Sequence, residues 1–458
     1  MLVIAVLCVL GVFSFILHTI ATRAEAAADS GSSTSFHQLQ QKFFIVYFLA
    51  TFSDWLQGPY VYKLYSYYGY SEEQIAVLYV VGFASSVTFG TLVGALADLF
   101  GRKKMCITYS ILYSVCCLTK VTSNYQVLLL GRVLGGISTS ILFSTFEAWY
   151  VHQHVEKYSY NIAWTNQTFS KATFYNGLLA ILAGIVSNLM AEWLDLGPLA
   201  PFIFAVPCLI LAGIVTSLTW EENNLKQSQP RGLAICQSLH VIFSGGNSSL
   251  LLLGIIQSLL ESVMYIFVFL WTPILEPMRP PLGIVFSCFM VCIMIGSSLY
   301  SFLLSWGWQS DDLLTGSMVL AFVALATCAV ATCHTNIPPY TQICFVAFLL
   351  FEIAVGAYYP AITYLRSEVI PEEYRAGIIS WFRVPMNLLT CASLMWLRKG
   401  HDNNNSANNM DSSSYVTFFM CACFLLLASG FSRYFSQTYR KKMLRNTRVV
   451  SEAREALI

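Results

Sequence analysis

The sequence predicts an all-α, multi-pass membrane protein, and three observations carry that prediction. Of its 458 residues, 56% are hydrophobic and only 11% are Asp, Glu, Lys or Arg, where a soluble domain carries about a quarter charged residues. Mean hydropathy is +0.62. Thirteen largely apolar stretches recur along the chain, each close to the roughly 20 residues that a helix needs to cross a bilayer, where backbone must be helical to satisfy its own hydrogen bonds. A soluble enzyme, a nucleic-acid binder and a disordered regulator all fit poorly. The formal net charge of +1 gives no reason to invoke an acidic polymer partner.

A leader span is predicted at about 2–20. Spans 1 to 12 follow near 42–62, 75–97, 105–121, 126–150, 169–190, 199–219, 249–272, 282–305, 313–332, 341–365, 376–397 and 415–435. The longest polar connection separates spans 6 and 7. The predicted organisation is therefore an extra N-terminal helix and linker (1–40), a six-helix half (41–220), a cytoplasmic loop (221–248), a second six-helix half (249–436) and a basic cytoplasmic tail (437–458).

Orientation follows from Lys and Arg, which accumulate in cytoplasmic loops. With the loop between spans 2 and 3 inside, Arg102, Lys103, Lys104, Lys157, Lys171, Arg366 and the tail cations from Arg433 to Arg454 are cytoplasmic. Lys63, Lys120, Arg279, Arg398 and Lys399 are outside, and Arg132 and Arg383 stay within the membrane. Ala24-Glu25-Ala26 has the small-x-small form of a signal-peptidase site, but cleavage there would invert the whole charge pattern. A retained leader, an extracellular N-terminus and a cytoplasmic C-terminus are expected. Of the three N-x-S/T sequons, only Asn404 falls in an outside loop; it is either a glycan site or an unused sequon. The fourteen cysteines lack zinc spacing and read as small packing residues, so no metal or other cofactor is expected.

Ionisable groups at membrane depth need a partner or a wet cavity. Away from span ends there are six: Asp54 in span 1, Arg132 and Glu147 in span 4, Glu261 in span 7, Glu352 in span 10 and Arg383 in span 11. Every third span lacks such a group, as a bundle with spans 1, 4, 7 and 10 at its centre would require. At about 1.5 Å per residue, Asp54, Glu261 and Glu352 fall near the midplane. Glu147 lies roughly 22 Å along the helix from Arg132, at the inner mouth. Asp54 with Gln57 (i, i+3), and Gln257 with Glu261 (i, i+4), each share one helix face. Gly58-Pro59 and Pro273 mark helix breaks at a cavity wall. Two readings stand for each group. The arginines either meet an anionic substrate or lock onto carboxylates such as Asp54 and Glu352; the acids either carry protons or are protonated packing groups.

The loop Gly94-Ala95-Leu96-Ala97-Asp98-Leu99-Phe100-Gly101-Arg102-Lys103-Lys104 resembles the G-x-L-x-D-R-x-G-R-K/R signature of the major facilitator superfamily, departing at Leu99. Gly131-Arg132-Val133-Leu134-Gly135-Gly136 is similar to that superfamily's second motif, whereas Ser305-Trp306-Gly307-Trp308, between spans 8 and 9, lacks the first. The resemblance implies the major facilitator superfamily fold and a gate built from Gly94, Asp98, Gly101, Arg102 and Lys103, with Asp98 closing against the start of span 11. The segments 54–62, Phe146-Glu147-Ala148-Trp149-Tyr150, Phe269-Leu270-Trp271-Thr272-Pro273 and Trp381-Phe382-Arg383-Val384-Pro385 resemble the eukaryotic molybdate-anion transporters of this superfamily. What that family implies is uptake of molybdate, a small inorganic anion, at a plasma membrane.

A tetrahedral dianion requires positive charge and many donors, which forked guanidinium groups supply. Arg383 is the first candidate contact and Arg132 the second, with Gln57, Gln257 and Tyr265 as neutral donors. Asp54, Glu147, Glu261 and Glu352 oppose the anion unless protonated or paired, so anion–proton symport is attractive. Sulfate or another anion, and a non-transporting sensor or scaffold, are the alternatives. Beyond the bilayer and the anion no partner is expected: neither a nucleotide-binding signature nor a catalytic constellation is present, and nothing points to nucleic acid.

Overall fold

The computed structural model describes residues 2–25, 34–160, 163–222, 239–243, 248–333, 340–371, 375–402 and 409–455. Among them there is no strand. The α-helices are α1 (Leu2–Glu25), α2 (Thr34–Gln57), α3 (Val61–Tyr67), α4 (Glu72–Phe100), α5 (Arg102–Thr119), α6 (Tyr125–His152), α7 (Ala163–Asn188), α8 (Ala200–Thr219), α9 (Ser248–Leu275), α10 (Leu282–Ser305), α11 (Ser310–Cys333), α12 (Tyr340–Val369), α13 (Arg375–Asp402) and α14 (Asn409–Glu455).

Among the described residues, nine helical segments are long and apolar enough to cross a membrane by length and composition alone. The predicted leader and spans 1, 3 and 11 are helical without meeting that standard. For spans 1 and 3 the reason is side-chain chemistry: α2 holds Gln40, Lys42, Asp54 and Gln57, and α5 opens on three cations.

Local chemistry sets the joints. At Gly58-Pro59 the chain tightens into a 3₁₀ turn (Gly58–Tyr60) before resuming as α3, because proline has no N–H to continue the ladder. Pro273 does not end its helix as expected: α9 runs through it to Leu275 and only then tightens into a 3₁₀ turn, Glu276–Met278. Ser71 and Gln74 form a reciprocal capping box at the start of α4. Gly101, at φ +102°, makes the sharp turn into α5, a conformation open to glycine at little cost. Asn124 caps α6 by accepting from the N–H groups of Gln126 and Val127.

The described chain forms two compact units. Unit 1 comprises residues up to 229 together with 268–291 and 391–405. Its core gathers Phe43, Val46, Ala50, Leu56, Tyr109, Phe146, Trp149, Tyr150 and Trp220 from α2, α5, α6 and the end of α8. The leader helix α1 also packs here, with Val3 buried and its carbonyl 3.7 Å from Cys288 Sγ.

Unit 2 comprises 230–267, 292–390 and 406–458. Ile242, Leu250, Ile370, Ile378 and Phe382 form one of its buried clusters. The segment expected as a separate basic tail continues the last helix, since α14 runs unbroken to Glu455. Arg440, one of the tail cations, meets Asp311 at 2.6 Å and Asp312 at 2.5 Å in the first turn of α11. A helix N-terminus favours those acids, and they hold the cation.

Candidate functional site

Unit 1 builds a polar chain from α2, α5 and α6. Tyr113 donates its hydroxyl hydrogen bond to Asp54 Oδ1. One turn along α2, buried Gln57 donates to the carbonyl of Ser53 at 3.1 Å and accepts from Lys120 Nζ at 3.2 Å. Lys120, expected at the outer end of span 3, is 3% exposed. Its ammonium lies 3.5 Å from Cys116 Sγ and 4.8 Å from the centre of the Phe202 ring. A lysine just past a helix end normally extends toward water; this one turns inward because Gln57, the thiol and the aromatic face replace water.

Arg132 bonds neither Asp54 nor Glu352, the carboxylates named in its alternative reading. Its Nε donates to the Leu78 carbonyl at 3.0 Å, and its guanidinium lies 5.0 Å from the centre of the Tyr79 ring. Gly82 makes this possible, since a Cβ there would stand 2.6 Å from Nη2. Glu147, on the same helix, is exposed.

In unit 2, Tyr358 on α12 donates to Glu261 Oε1 at 3.0 Å. Buried Gln257, one turn before Glu261 on α9, accepts from Arg366 Nη1 at 3.5 Å. Arg366, expected only as a cytoplasmic anchor, therefore reaches a candidate site residue. Ser258 donates to the Phe382 carbonyl at 3.1 Å, and the Phe382 ring fills the notch left by Gly254, where a Cβ would meet it at 2.4 Å. Arg383, the next residue, is exposed, and its carbonyl accepts from Asn387 Nδ2 at 2.7 Å. Tyr265 is half-buried one turn beyond Glu261 on α9. Glu352 is buried at 7% exposure on α12.

The basic turn of unit 1 is held by residues the sequence reading did not single out. Trp220 follows α8 and stacks on Trp149, with ring centres 3.7 Å apart. Trp220 Nε1 donates to the Lys42 carbonyl at 3.0 Å, and Trp149 Nε1 to the Glu221 carbonyl at 2.9 Å. The Glu222 carboxylate accepts from the backbone N–H groups of Lys103 (3.0 Å) and Lys104 (3.2 Å), capping the positive end of α5. Arg102 donates to the Ala148 carbonyl at 2.8 Å, and Lys103 Nζ to the Ser217 carbonyl at 2.7 Å. Glu221 pairs with Lys157; that hydrogen bond holds its carboxyl below the usual glutamate range. The available signal was two consecutive acids after an apolar span on the cation-rich side. Gly94 and Asp98 lie on α4, with the surroundings of Asp98's side chain outside the described residues, as is Asn404.

At the opposite end of unit 1, Lys63 pairs with Glu276. Tyr60 donates to Glu192 Oε1 at 2.9 Å, and the same oxygen accepts from Leu282 N–H at 3.1 Å. Beneath them α7 and α10 touch backbone to backbone, for a Cβ on Gly283 would lie 2.2 Å from the Gly184 carbonyl oxygen.

A family model described as sugar transporters with 12 transmembrane segments matches residues 5–351. A protein of Xenopus laevis named molybdate-anion transporter is 42% identical over 435 residues, covering 93% of each chain. Its namesake in Takifugu rubripes is 40% identical over 425 residues, covering 88% of each. The chain belongs to the molybdate-anion transporter family of the major facilitator superfamily. Solved structures agree on the fold of this transporter. A nucleoside transporter superposes with a TM-score of 0.68 at 12% identity over 87% of this chain and 99% of its own. A D-xylose–proton symporter gives 0.67 at 13% identity over 86% and 97%. The chain is thus a multi-pass membrane transporter and not an enzyme.

Proposed function

We propose that this transporter takes up molybdate by alternating access, with proton movement coupled to the anion and the Gly101–Lys104 turn on the cytoplasmic side of a plasma membrane. The observation that carries the reading is 40–42% identity over about nine-tenths of the chain to proteins named molybdate-anion transporter. The side chains support it. Each unit by itself holds positive charge suited to a dianion, Lys120 and Arg132 in unit 1 and Arg366 and Arg383 in unit 2. Asp54, Glu261 and Glu352 lie on the same helices as these polar clusters or on helices that contribute to them. Two charges brought into a low-dielectric interior need compensation, and protons on those acids provide it. The neighbouring Gln57, Gln257 and Tyr265 add donors without adding charge.

The test is metal-resolved molybdate uptake in cells expressing the protein, with excess sulfate as competitor and Arg383→Ala as control. Uptake that rises with expression, resists sulfate and falls at least about tenfold in Arg383→Ala is expected, the size of one lost charge-assisted contact. Uptake abolished by sulfate demotes molybdate to an incidental substrate, and uptake indifferent to expression favours a scaffold. Coupling is tested separately in liposomes, where uptake without pH dependence would remove the proton.

A further inference from the structure

Tyr65, on α3, is completely buried, and its hydroxyl has no hydrogen-bond partner. Buried hydroxyls in native proteins are almost always bonded, because an unbonded one forfeits its hydration for nothing. Its surroundings are cationic: Tyr68, three residues on, donates its hydroxyl hydrogen bond to the Lys120 carbonyl, and Lys120 Nζ lies 3.5 Å from Cys116 Sγ, which reaches the carbonyl of Gly131, the neighbour of Arg132, at 3.0 Å.

Neither cation is neutralised by direct contact. Among the described residues no carboxylate forms an ion pair with Lys120 or Arg132. Lys120 is held by a neutral amide, a thiol and an aromatic face. Asp54 acts on it only at longer range and is itself bonded by Tyr113. Arg132 spends its Nε on the Leu78 carbonyl, and no acceptor among the described residues reaches its two terminal nitrogens. A buried ammonium beside a half-buried guanidinium, both with neutral partners, is costly to keep, since a buried charge is normally paired.

We infer that Lys120, Arg132 and Tyr65 form an oxyanion-binding site within unit 1, for a tetrahedral dianion. The chemistry of the set is one-sided: an ammonium, a guanidinium fork and a phenolic O–H offer donors and a charge of +2, with no carboxylate among them to repel the ligand. Such a set complements an oxyanion whose oxygens only accept. Tyr65 contributes a donor without charge, and Gln57 holds the ammonium in place from behind. This rests on the anion-transport reading above and gives it a binding site in the first half of the chain.

The test uses full-length protein in detergent, with molybdate and sulfate as probes in equilibrium dialysis, read by elemental mass spectrometry alongside a melting curve. Tyr65→Phe is the decisive variant, because it removes only an oxygen that bonds nothing in the protein. It is expected to melt at or above the wild-type temperature while binding molybdate at least about tenfold more weakly, the size of one charge-assisted hydrogen bond. Lys120→Met is expected to lose about a hundredfold, and Lys120→Arg to recover part of that. Wild-type protein that binds while Tyr65→Phe binds equally well overturns the site and leaves the transport reading intact. Wild-type protein that binds neither anion overturns the transport reading and the site with it. Should Lys120→Met fail to fold, Tyr65→Phe still decides.

Discussion

The two units contain the same small device with its parts in opposite order. In unit 1 a tyrosine of α5 donates to a carboxylate of α2, and a cation bonds an amide one turn further along. In unit 2 a tyrosine of α12 donates to a carboxylate of α9, and a cation bonds an amide one turn earlier. Asp54 precedes Gln57, whereas Gln257 precedes Glu261. The cations differ in burial as well: Lys120 is 3% exposed, while Arg366 is half-buried. The comparison teaches that a cation's distance from water, more than its partner, decides how strongly each site depends on its amide.

The largest expected effect separates the amides. Gln57→Leu strips the enclosed Lys120 of its nearest oxygen and is expected to destabilise the protein by about 3 kcal/mol. Gln257→Leu is expected to cost about 1 kcal/mol, because Arg366 can turn toward water. Chemical unfolding in detergent measures both, and equal losses would break the comparison. Next come the tyrosines. Tyr113→Phe and Tyr358→Phe each delete a donor to a carboxylate and should each cost about 1.5–3 kcal/mol if that carboxylate is ionised. Clearly unequal losses would show that one acid stays protonated, and so would assign the proton to one unit.

A smaller change tests the Arg132 seat. Gly82→Ala places a methyl against the flexible end of the guanidinium, so stability should move by no more than about 1 kcal/mol while molybdate binding weakens. Unchanged binding would detach Arg132 from the anion. Smallest is Glu221→Gln at the basic turn, an exposed pair worth at most about 1 kcal/mol and weakened by salt. Glu221 titrates below its ordinary range because Lys157 bonds it. Its contribution is therefore present above the unfolded-state value and is lost as pH falls through the lowered one. Comparing melting temperatures in acid and at neutral pH, the wild-type protein should lose slightly more than the variant.

Much of this was legible in the sequence. Span positions follow from apolar runs, the broken helix from Gly58-Pro59, and the shared faces of Asp54 with Gln57 and Gln257 with Glu261 from helical spacing alone. The partners were not. Tyr113 and Tyr358 are two of 25 tyrosines, and nothing local distinguishes a tyrosine that bonds a carboxylate from one that packs. The burial of Lys120 was not legible, because position near a span end cannot tell an outward lysine from an inward one; that depends on Phe202 and Gln57, 82 and 63 residues away in sequence. For Arg132 two readings stood, an anion contact or a lock on a carboxylate, and it lies on a carbonyl instead of a carboxylate, a seat that depends on the missing side chain of Gly82. Trp220-Glu221-Glu222 escaped notice because its partners are far from it in the chain: Trp220 stacks on Trp149, Glu221 pairs with Lys157 and Glu222 caps α5.

The glycine contact between α7 and α10 has a mechanical consequence. Where Gly184 meets Gly283 the helices close to backbone distance, and the side chains of Ser287, Phe286 and Asn188 fit into the two notches. Ser287 bolts the contact by donating to the Ile181 carbonyl at 2.9 Å, and Glu192 accepts from the first N–H of α10 at 3.1 Å. A joint with room for nothing larger than hydrogen has one spacing only. Any side chain at either glycine acts as a wedge that drives the two rods apart.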